Sequence, residues 1–503
     1  GWPSVSPARL SYRFGPLERR GILGPIRAGQ ASLLAVGALL AIAVLDQLPT
    51  ASGALLAVFV FAGAVVAAVA PIGSRTVEEW APVAILFAFK RLRRRNRWRS
   101  ELPTSGLLAR RRSGAQAFEL SAPRPVLPPE LGGIRIVDVA YRDRPIGVLS
   151  ERSGRRLTAV LACRVVAFSL LDGEAQERRL ARWGLVLSGS ASTAVRRIQW
   201  VERTAPAEGD ELARWLHAER DPTIPLRGTP MIESYLELIG ATTRVTQEHE
   251  ILIAVQVDSG RVRDRGGDAI GRALLEETER VAQGLEAAEV MVLGALSSGQ
   301  LGRALRTAFD PYARAELAAL QVADESRHGV SEANAWPLGA RETWDHYCSD
   351  GAVHATYWIG GWPRIEVSSM FMEALLGRSS AVRTVAVAFE PIPPERSTRE
   401  VEAAITRDRA DSELRHRFGQ SETARQRQAQ DATMRREAEL AAGHSEVRLA
   451  GFVTVSGRDR DDLRRASAEV LEHAARARLE LHRMYGQQAD AFTFTLPLCR
   501  GLR

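Results

Sequence analysis

"QASLLAVGALLAIAVLDQLPTASGALLAVFVFAGAVVAAVAPI" runs from Gln30 to Ile72 with a single charged residue, Asp46. It divides into two apolar stretches, Gln30–Leu48 and Ala54–Ile72, separated by the five residues "PTASG". At a helical rise of about 1.5 Å per residue each stretch reaches roughly 27–29 Å, the thickness of a bilayer's hydrocarbon core. Asp46 lies at the end of the first stretch, where its charge reaches the interface. The intervening residues allow only a tight turn, with Pro49 and Gly53 as turn formers. The pattern predicts a transmembrane helical hairpin over residues 30–72. Two buried core helices are the bland alternative. A secretory signal would have a shorter apolar region and no second span. Gly37 with Ala41, and Gly63 with Ala67, place small residues four apart, a spacing that lets helix backbones approach.

The charges around this hairpin predict its orientation. Residues 1–112 hold 16 Lys/Arg and 5 Asp/Glu, a net charge of +11 in a chain of net charge +7, so the remainder carries −4. Residues 1–29 form a basic leader with Arg9, Arg13, Arg19, Arg20 and Arg27, and the turn between the spans has no cation. Beyond the second span, "FKRLRRRNRWR" supplies Lys90, Arg91, Arg93, Arg94, Arg95, Arg97 and Arg99 with no acid among them. Moving an Arg across a bilayer costs about 2.5–3.5 kcal/mol even on lenient insertion scales. Both termini are therefore expected in the cytoplasm, in a multi-pass protein of the inner (cytoplasmic) membrane. The cluster reads first as a topology marker and second as a contact for anionic lipid headgroups. A folded DNA-binding domain would spread its basic footprint over its own face, so direct nucleic-acid contact is not expected. Residues 73–100, with apolar "WAPVAILFAF" leading into the cluster, read as a basic amphipathic helix in the interface. Lys90 is the one lysine in the chain, a bias explained most simply by a GC-rich genome.

Residues 101–130 are rich in Pro, Gly and Ser and read as a linker. The cytoplasmic body, 131–503, alternates strand and helix patterns. Strands are expected at Arg155–Leu171, in "AVRRIQWVERT", at His249–Asp258 and Val290–Leu296, with helices in "GEAQERRLARWGLVLSG" and at Asp268–Leu285. A helical insert is expected at Glu208–Thr246. The scheme repeats with strands at Ala352–Trp362, Ala381–Ile392 and Val447–Gly457, a short helix in "VSSMFMEALLG", a charged helical segment at Glu395–Ala442, a helix at Asp459–Tyr485 and a closing strand at Ala491–Leu498. Two successive β-α-β units make a ferredoxin-like sandwich. The expected fold is α+β: the hairpin, then tandem ferredoxin-like units at about 150–296 and 350–498. The charged segment reads as a solvated helix pair or an arm for a partner subunit.

Signatures of chemistry are scarce. A P-loop needs a lysine on the β- and γ-phosphates, and Lys90 sits in the juxtamembrane cluster. "DRGGDAIGRAL" has the wrong glycine spacing for a dinucleotide loop and reads as a helix start capped by Asp268. "HYCSDGAVH" offers His346, Cys348 and His354 without a fourth ligand at zinc spacing. Cys163, Cys348 and Cys499 are scattered, as free thiols on a reducing side would be. No nucleophile elbow is present. No catalytic, cofactor-binding or metal-ligating residue is assigned, and an enzyme is not expected.

"GQLGRALRTAFDP" (Gly299–Pro311), "NAWP" (Asn334–Pro337), "HATYWIGGWPR" (His354–Arg364), "RTVAVAFEP" (Arg383–Pro391) and the closing "AFTFTLPLCRGLR", set behind a basic leader and a hairpin, carry a resemblance. The chain resembles membrane proteins of actinobacterial conjugative, type IV-secretion-like loci. In these, a hairpin resembling the small PrgI-like inner-membrane component is joined to a body resembling the N-terminal domain of the large VirB-family secretion ATPase. The motif positions are Asp310, Pro311, Asn334, Trp336, Pro337 and Trp362. The resemblance implies a non-catalytic membrane scaffold that docks a separate P-loop ATPase and other secretion subunits, with homo-oligomerisation open. The alternatives are the EccE-type subunit of type VII secretion, which also sets a two-helix anchor before an α/β body, and a membrane-tethered enzyme with an unrecognised site.

Overall fold

The computed structural model describes residues 28–69, 71–72, 75–100, 127–142, 144–164, 171–206, 230, 234, 247–264, 266, 268–313, 330, 332–363, 367–417, 424–441, 443 and 445–502. The leader, most of the 101–130 linker and nearly all of the 208–246 insert therefore lie outside the described residues. The chain divides into two compact units. One comprises the described residues of Arg97–Glu400 and Glu437–Arg503, the other those of Phe14–Asn96 and Val401–Arg436.

In the second unit, α1 (Ala28–Gln47) and α2 (Ala51–Val69) form a helical hairpin. Thr50 caps α2 by accepting the Gly53 amide at 3.2 Å. Gly53 is required, because a Cβ there would overlap the Leu48 carbonyl oxygen. Gly37 sits in the helix contact, where a Cβ would overlap Ala64, but Gly63 faces open space. Gln30 ties the open end by donating to the Ala68 carbonyl at 3.0 Å. After two short paired strands, β1 (Pro71–Ile72) and β2 (Arg75–Thr76), comes α3 (Val77–Leu92). The predicted helix over 73–100 is thus shorter. It stops at Leu92, and Arg97–Arg99 form a strand, β3, because Trp98 packs into the core of the first unit.

Among the described residues, the first unit is built on one continuous sheet of 13 strands. Two halves meet in it. The first contains β4 (Arg135–Tyr141), β5 (Arg144–Glu151), β6 (Arg156–Arg164), β7 (Val195–Pro206), β8 (Gln247–Asp258) and β9 (Met291–Ala295), with α4 (Gly173–Gly189) and α5 (Ala269–Ala287). After α6 (Ser298–Phe309) the second contains β10 (Gly339–Glu342), β11 (Tyr347–Ser349), β12 (Ala352–Gly361), β13 (Val382–Pro391), β14 (Val447–Gly457) and β15 (Glu480–Arg483), with α7 (Glu373–Leu376) and α10 (Arg460–Arg476). Between β13 and β14 the chain forms α8 (Pro394–Arg417) and α9 (Ala424–Ala441) in the predicted charged segment.

The order β3-β10-β11-β12-β14-β13-β7-β8-β6-β5-β4 is palindromic about the β13–β7 pair, apart from β3. In each half one central strand pairs with a hairpin strand along its first residues and a late strand along its last: β6 with β5 then β9, β12 with β11 then β15. Both late pairings contain a register shift, at Ala162/Cys163 and at Ile359/Gly361. The halves join where β7 and β13 run antiparallel, Val201 opposite Ala386. The expected repeat is therefore present in strand order, but as one merged sheet rather than two separate sandwiches.

Alternation along the strands sends residues to opposite faces. Leu161, Cys163, Ile253 and Val255 pack with α4 and α5, and Ala355, Tyr357, Val453 and Val455 with α10. Val160, Val201, Leu252, Ala254 and Ala386 face α6 and the C-terminal segment. That segment corrects two expectations. Residues 459–485 do not continue as one helix: α10 ends at Arg476, Arg478 takes φ 58°, and β15 follows. Residues 491–498 are not a strand but the end of α11 (Gln488–Phe492) and a short 3-10 turn, with Phe492, Thr493, Thr495, Leu496 and Leu498 buried. The alternating pattern of "AFTFTLPL" mimics a strand, yet its backbone groups bond to side chains of the sheet face beneath it.

Candidate functional site

The motif residues of the body converge, with two exceptions, at the C-terminal end of α6. This helix starts with a capping box: the Gln300 amide donates to Ser297 Oγ at 3.3 Å and the Ser297 amide to Gln300 Oε1 at 2.9 Å. Gly302 lies against the Val330 carbonyl, which a Cβ would overlap. Leu301, Leu305 and Phe309 are fully buried. At the other end Asp310 Oδ1 accepts the Tyr312 amide at 3.2 Å, and buried Pro311 opens a 3-10 turn. Arg306 Nη1 donates to the Trp336 carbonyl at 3.1 Å and to Asp350 at 2.5 Å. Asp350, in the left-handed region at φ 46°, accepts the Leu338 and Gly339 amides at 2.8 and 3.0 Å. Trp336 and Pro337 are buried, while Asn334 is exposed. Trp362 stands apart, packed near Ile359 and Gly451. The glycines of "WIGGW" make room for β15, since a Cβ at Gly360 would overlap His482 and one at Gly361 would press on Glu480.

A second constellation was not singled out from sequence. On the face opposite α4 and α5, polar side chains of central strands bind the C-terminal backbone. Arg197 donates to the carbonyls of Cys499 (3.1 Å) and Leu502 (2.8 Å) and to Glu390 (2.7 Å). Gln199 donates to the Phe494 carbonyl and accepts the Cys499 amide, at 2.8 and 2.7 Å. Gln256 donates to the Leu498 carbonyl at 3.3 Å, and Thr454 bonds Thr495 at 2.8 Å. The available signal was a polar residue inside each apolar strand, as in "RRIQW" and "AVQVD".

His354 belongs to the same polar layer and is fully buried. Ser349 Oγ donates to the Phe309 carbonyl at 2.7 Å, so it accepts from His354 Nε2–H at 2.9 Å, and Ser456 Oγ donates to Nδ1 at 2.8 Å. This network assigns the neutral Nε2–H tautomer, and burial lowers the imidazole to about 4. Of the three residues weighed as metal ligands, Cys348 and His354 are not cross-strand partners (Cys348 lies opposite Val353), and His346 bonds Asp345 at 2.8 Å. Asp268 precedes α5, as expected, but makes no side-chain capping bond. Cys163 and Cys499 are buried and Cys348 partly so; burial raises all three thiols, Cys163 to about 12.

The basic cluster is divided by the fold. Lys90 and Arg91 fall in the last turn of α3, where cations complement the helix dipole. Arg93 stacks over Phe89 at 4.0 Å. The Arg95 and Arg94 amides close the helix on the Lys90 and Arg91 carbonyls at 2.9 and 3.1 Å, with Arg94 at φ 53°. Arg97 and Arg99 are exposed on β3 at the edge of the sheet, Arg97 opposite Arg341 of β10.

Gly29–Gln47 and Ala51–Ala68 are long and apolar enough to cross a membrane, and only 6% and 17% of those windows are buried. Core helices of a soluble domain would be mostly buried; here Leu39 is 66% and Phe59 69% exposed. A family model described as "Putative type VII ESX secretion system translocon, EccE" matches residues 245–359. The match runs from β8 to β12, less than a quarter of the chain, and takes in α6 and every convergent motif residue. No curated protein matches the chain. Together the match and the two apolar helices support a membrane component of a secretion system. They favour the type VII resemblance over the type IV-like one.

Proposed function

We propose that this chain is a membrane-anchored, non-catalytic subunit of a type VII secretion translocon. The observation that carries the reading is the EccE match over 245–359 in a chain that also bears an exposed apolar helical hairpin. In this reading α1 and α2 span the inner membrane, the Pro49–Gly53 turn faces outward and both termini face the cytoplasm. Each half of the body is a ferredoxin-like unit, which the orders β9-β6-β8-β7 and β15-β12-β14-β13 support. The body is a scaffold that docks other secretion subunits, among them a separate P-loop ATPase.

The test is purification from membranes with mild detergent. Co-purification of a P-loop ATPase and further secretion subunits is expected. A protein that dissolves without detergent, or that emerges alone under conditions preserving the complex, overturns the reading. Nucleotide titration and hydrolysis assays on the purified chain are expected to show no turnover, and clear turnover would replace the scaffold with an enzyme.

A further inference from the structure

We propose that α3 and the turn that closes it form an in-plane binding site for anionic phospholipid headgroups. The proposal rests on the reading of α1 and α2 as membrane spans, and goes beyond anchoring to a lipid preference. Three observations carry it.

The first is an exposed apolar stripe. α3 packs against α1 and α2, with Val83 buried at 6%. Away from that contact Ile85, Leu86, Phe89 and Leu92 are 67%, 61%, 48% and 82% exposed. Their spacing places them along one side of a helix, and the hairpin that α3 packs against also exposes apolar side chains, Leu39 and Phe59 among them. A bilayer is the occupant that covers both surfaces at once.

The second is charge. Lys90, Arg91, Arg93, Arg94 and Arg95 follow the stripe with no acid among them. An interfacial helix with its apolar side in the acyl boundary sets such cations at the depth of lipid phosphates.

The third is backbone conformation. The paired bonds from the Arg95 and Arg94 amides to the Lys90 and Arg91 carbonyls are those of a Schellman closure, and Arg94 at φ 53° occupies its left-handed position, where glycine is favoured. The closure holds the backbone of Arg94 and Arg95 against the last turn of α3, so the cluster stays at the end of the stripe. Helix-dipole complementarity accounts for Lys90 and Arg91 but not for Arg94 and Arg95 beyond the helix end.

The experiment uses the full chain in nanodiscs of phosphatidylcholine alone and of an equimolar phosphatidylcholine–phosphatidylglycerol mixture, with retained lipid counted by native mass spectrometry after release. Wild type should retain phosphatidylglycerol selectively. Arg94→Gly relaxes the turn while removing one charge, and should weaken phosphatidylglycerol retention about five-fold; replacing Arg93, Arg94 and Arg95 with Gln together should weaken it about a hundred-fold. Equal retention of the two lipids, or an Arg94→Gly protein indistinguishable from wild type, overturns the proposal. So does tighter binding of single-stranded DNA than of phosphatidylglycerol with the same loss on substitution. Carbonate extraction separates the two readings. If wild type leaves the membrane in carbonate, the spanning hairpin is wrong. If it stays but shows no headgroup preference, only the lipid site is wrong.

Discussion

His354 is a titratable group made inert by its surroundings. Ser349, Ser456 and the Phe309 carbonyl satisfy the neutral ring, and burial holds its pKa near 4. In the unfolded chain the ring titrates near 6.5. Above that pH both states are neutral and the group contributes no pH dependence. As pH falls from 6.5 toward 4 the unfolded chain binds a proton the folded chain refuses, so stability drops. Unfolding free energy is expected to be about 2 kcal/mol lower at pH 5 than at pH 7 from this residue. Denaturant titrations of the detergent-solubilised protein check it, and a profile flat through that window contradicts the buried neutral ring. Gly302 makes a different kind of prediction. A methyl group there meets the Val330 carbonyl, backbone that cannot swing aside, so Gly302→Ala should cost about 1–3 kcal/mol and lower the thermal midpoint. The residues of "GQLGRALRTAFDP" were recognisable as a motif in sequence. That its glycine serves a close backbone approach was not, because residue 330 arrives through the fold.

Elements were legible wherever hydrophobic period alone sets them. The two apolar helices, β6 to β9 and β12 to β14 lie where the patterns place them, because each buries a face whose repeat is written locally. The exceptions share a cause. β15 and the C-terminal segment owe their form to neighbours: β15 completes a late pairing on β12, and residues 493–502 are held by Arg197, Gln199 and Gln256. Arg197→Leu leaves Glu390 buried without its partner and frees two carbonyls. A loss of about 3–5 kcal/mol is expected, with earlier proteolytic release of the C-terminal segment; an unchanged midpoint and cleavage rate would show that the segment holds itself. In the hairpin, Gly37→Leu should push α1 from α2 at Ala64, whereas Gly63→Leu, in open space, should be tolerated. Crosslinking yield between cysteines placed across the pair separates the two.

At the scale of the whole molecule, the palindromic sheet binds the halves of the body through the β7–β13 seam. The body should therefore unfold in one cooperative step, with the amides of β6 and β12 sharing one protection level in hydrogen exchange. Two resolved transitions would mean that the halves are independent. The hairpin's orientation is tested by a membrane-impermeant thiol reagent: a cysteine at Thr50 should react in intact cells and one at Arg99 only after lysis.

By itself the sequence determined what short-range chemistry can determine: two apolar helices of spanning length, a charge asymmetry around them, and the succession of strands and helices in a body that repeats its own order. Tertiary structure alone decided that the two halves share one sheet, that Arg97–Arg99 leave the basic cluster to become an edge strand, and that the final residues form a turn clasped by polar side chains. Those outcomes depend on pairings between residues hundreds of positions apart, such as Arg197 with Leu502. Periodicity along the chain shows which faces must be buried, but not against which partner.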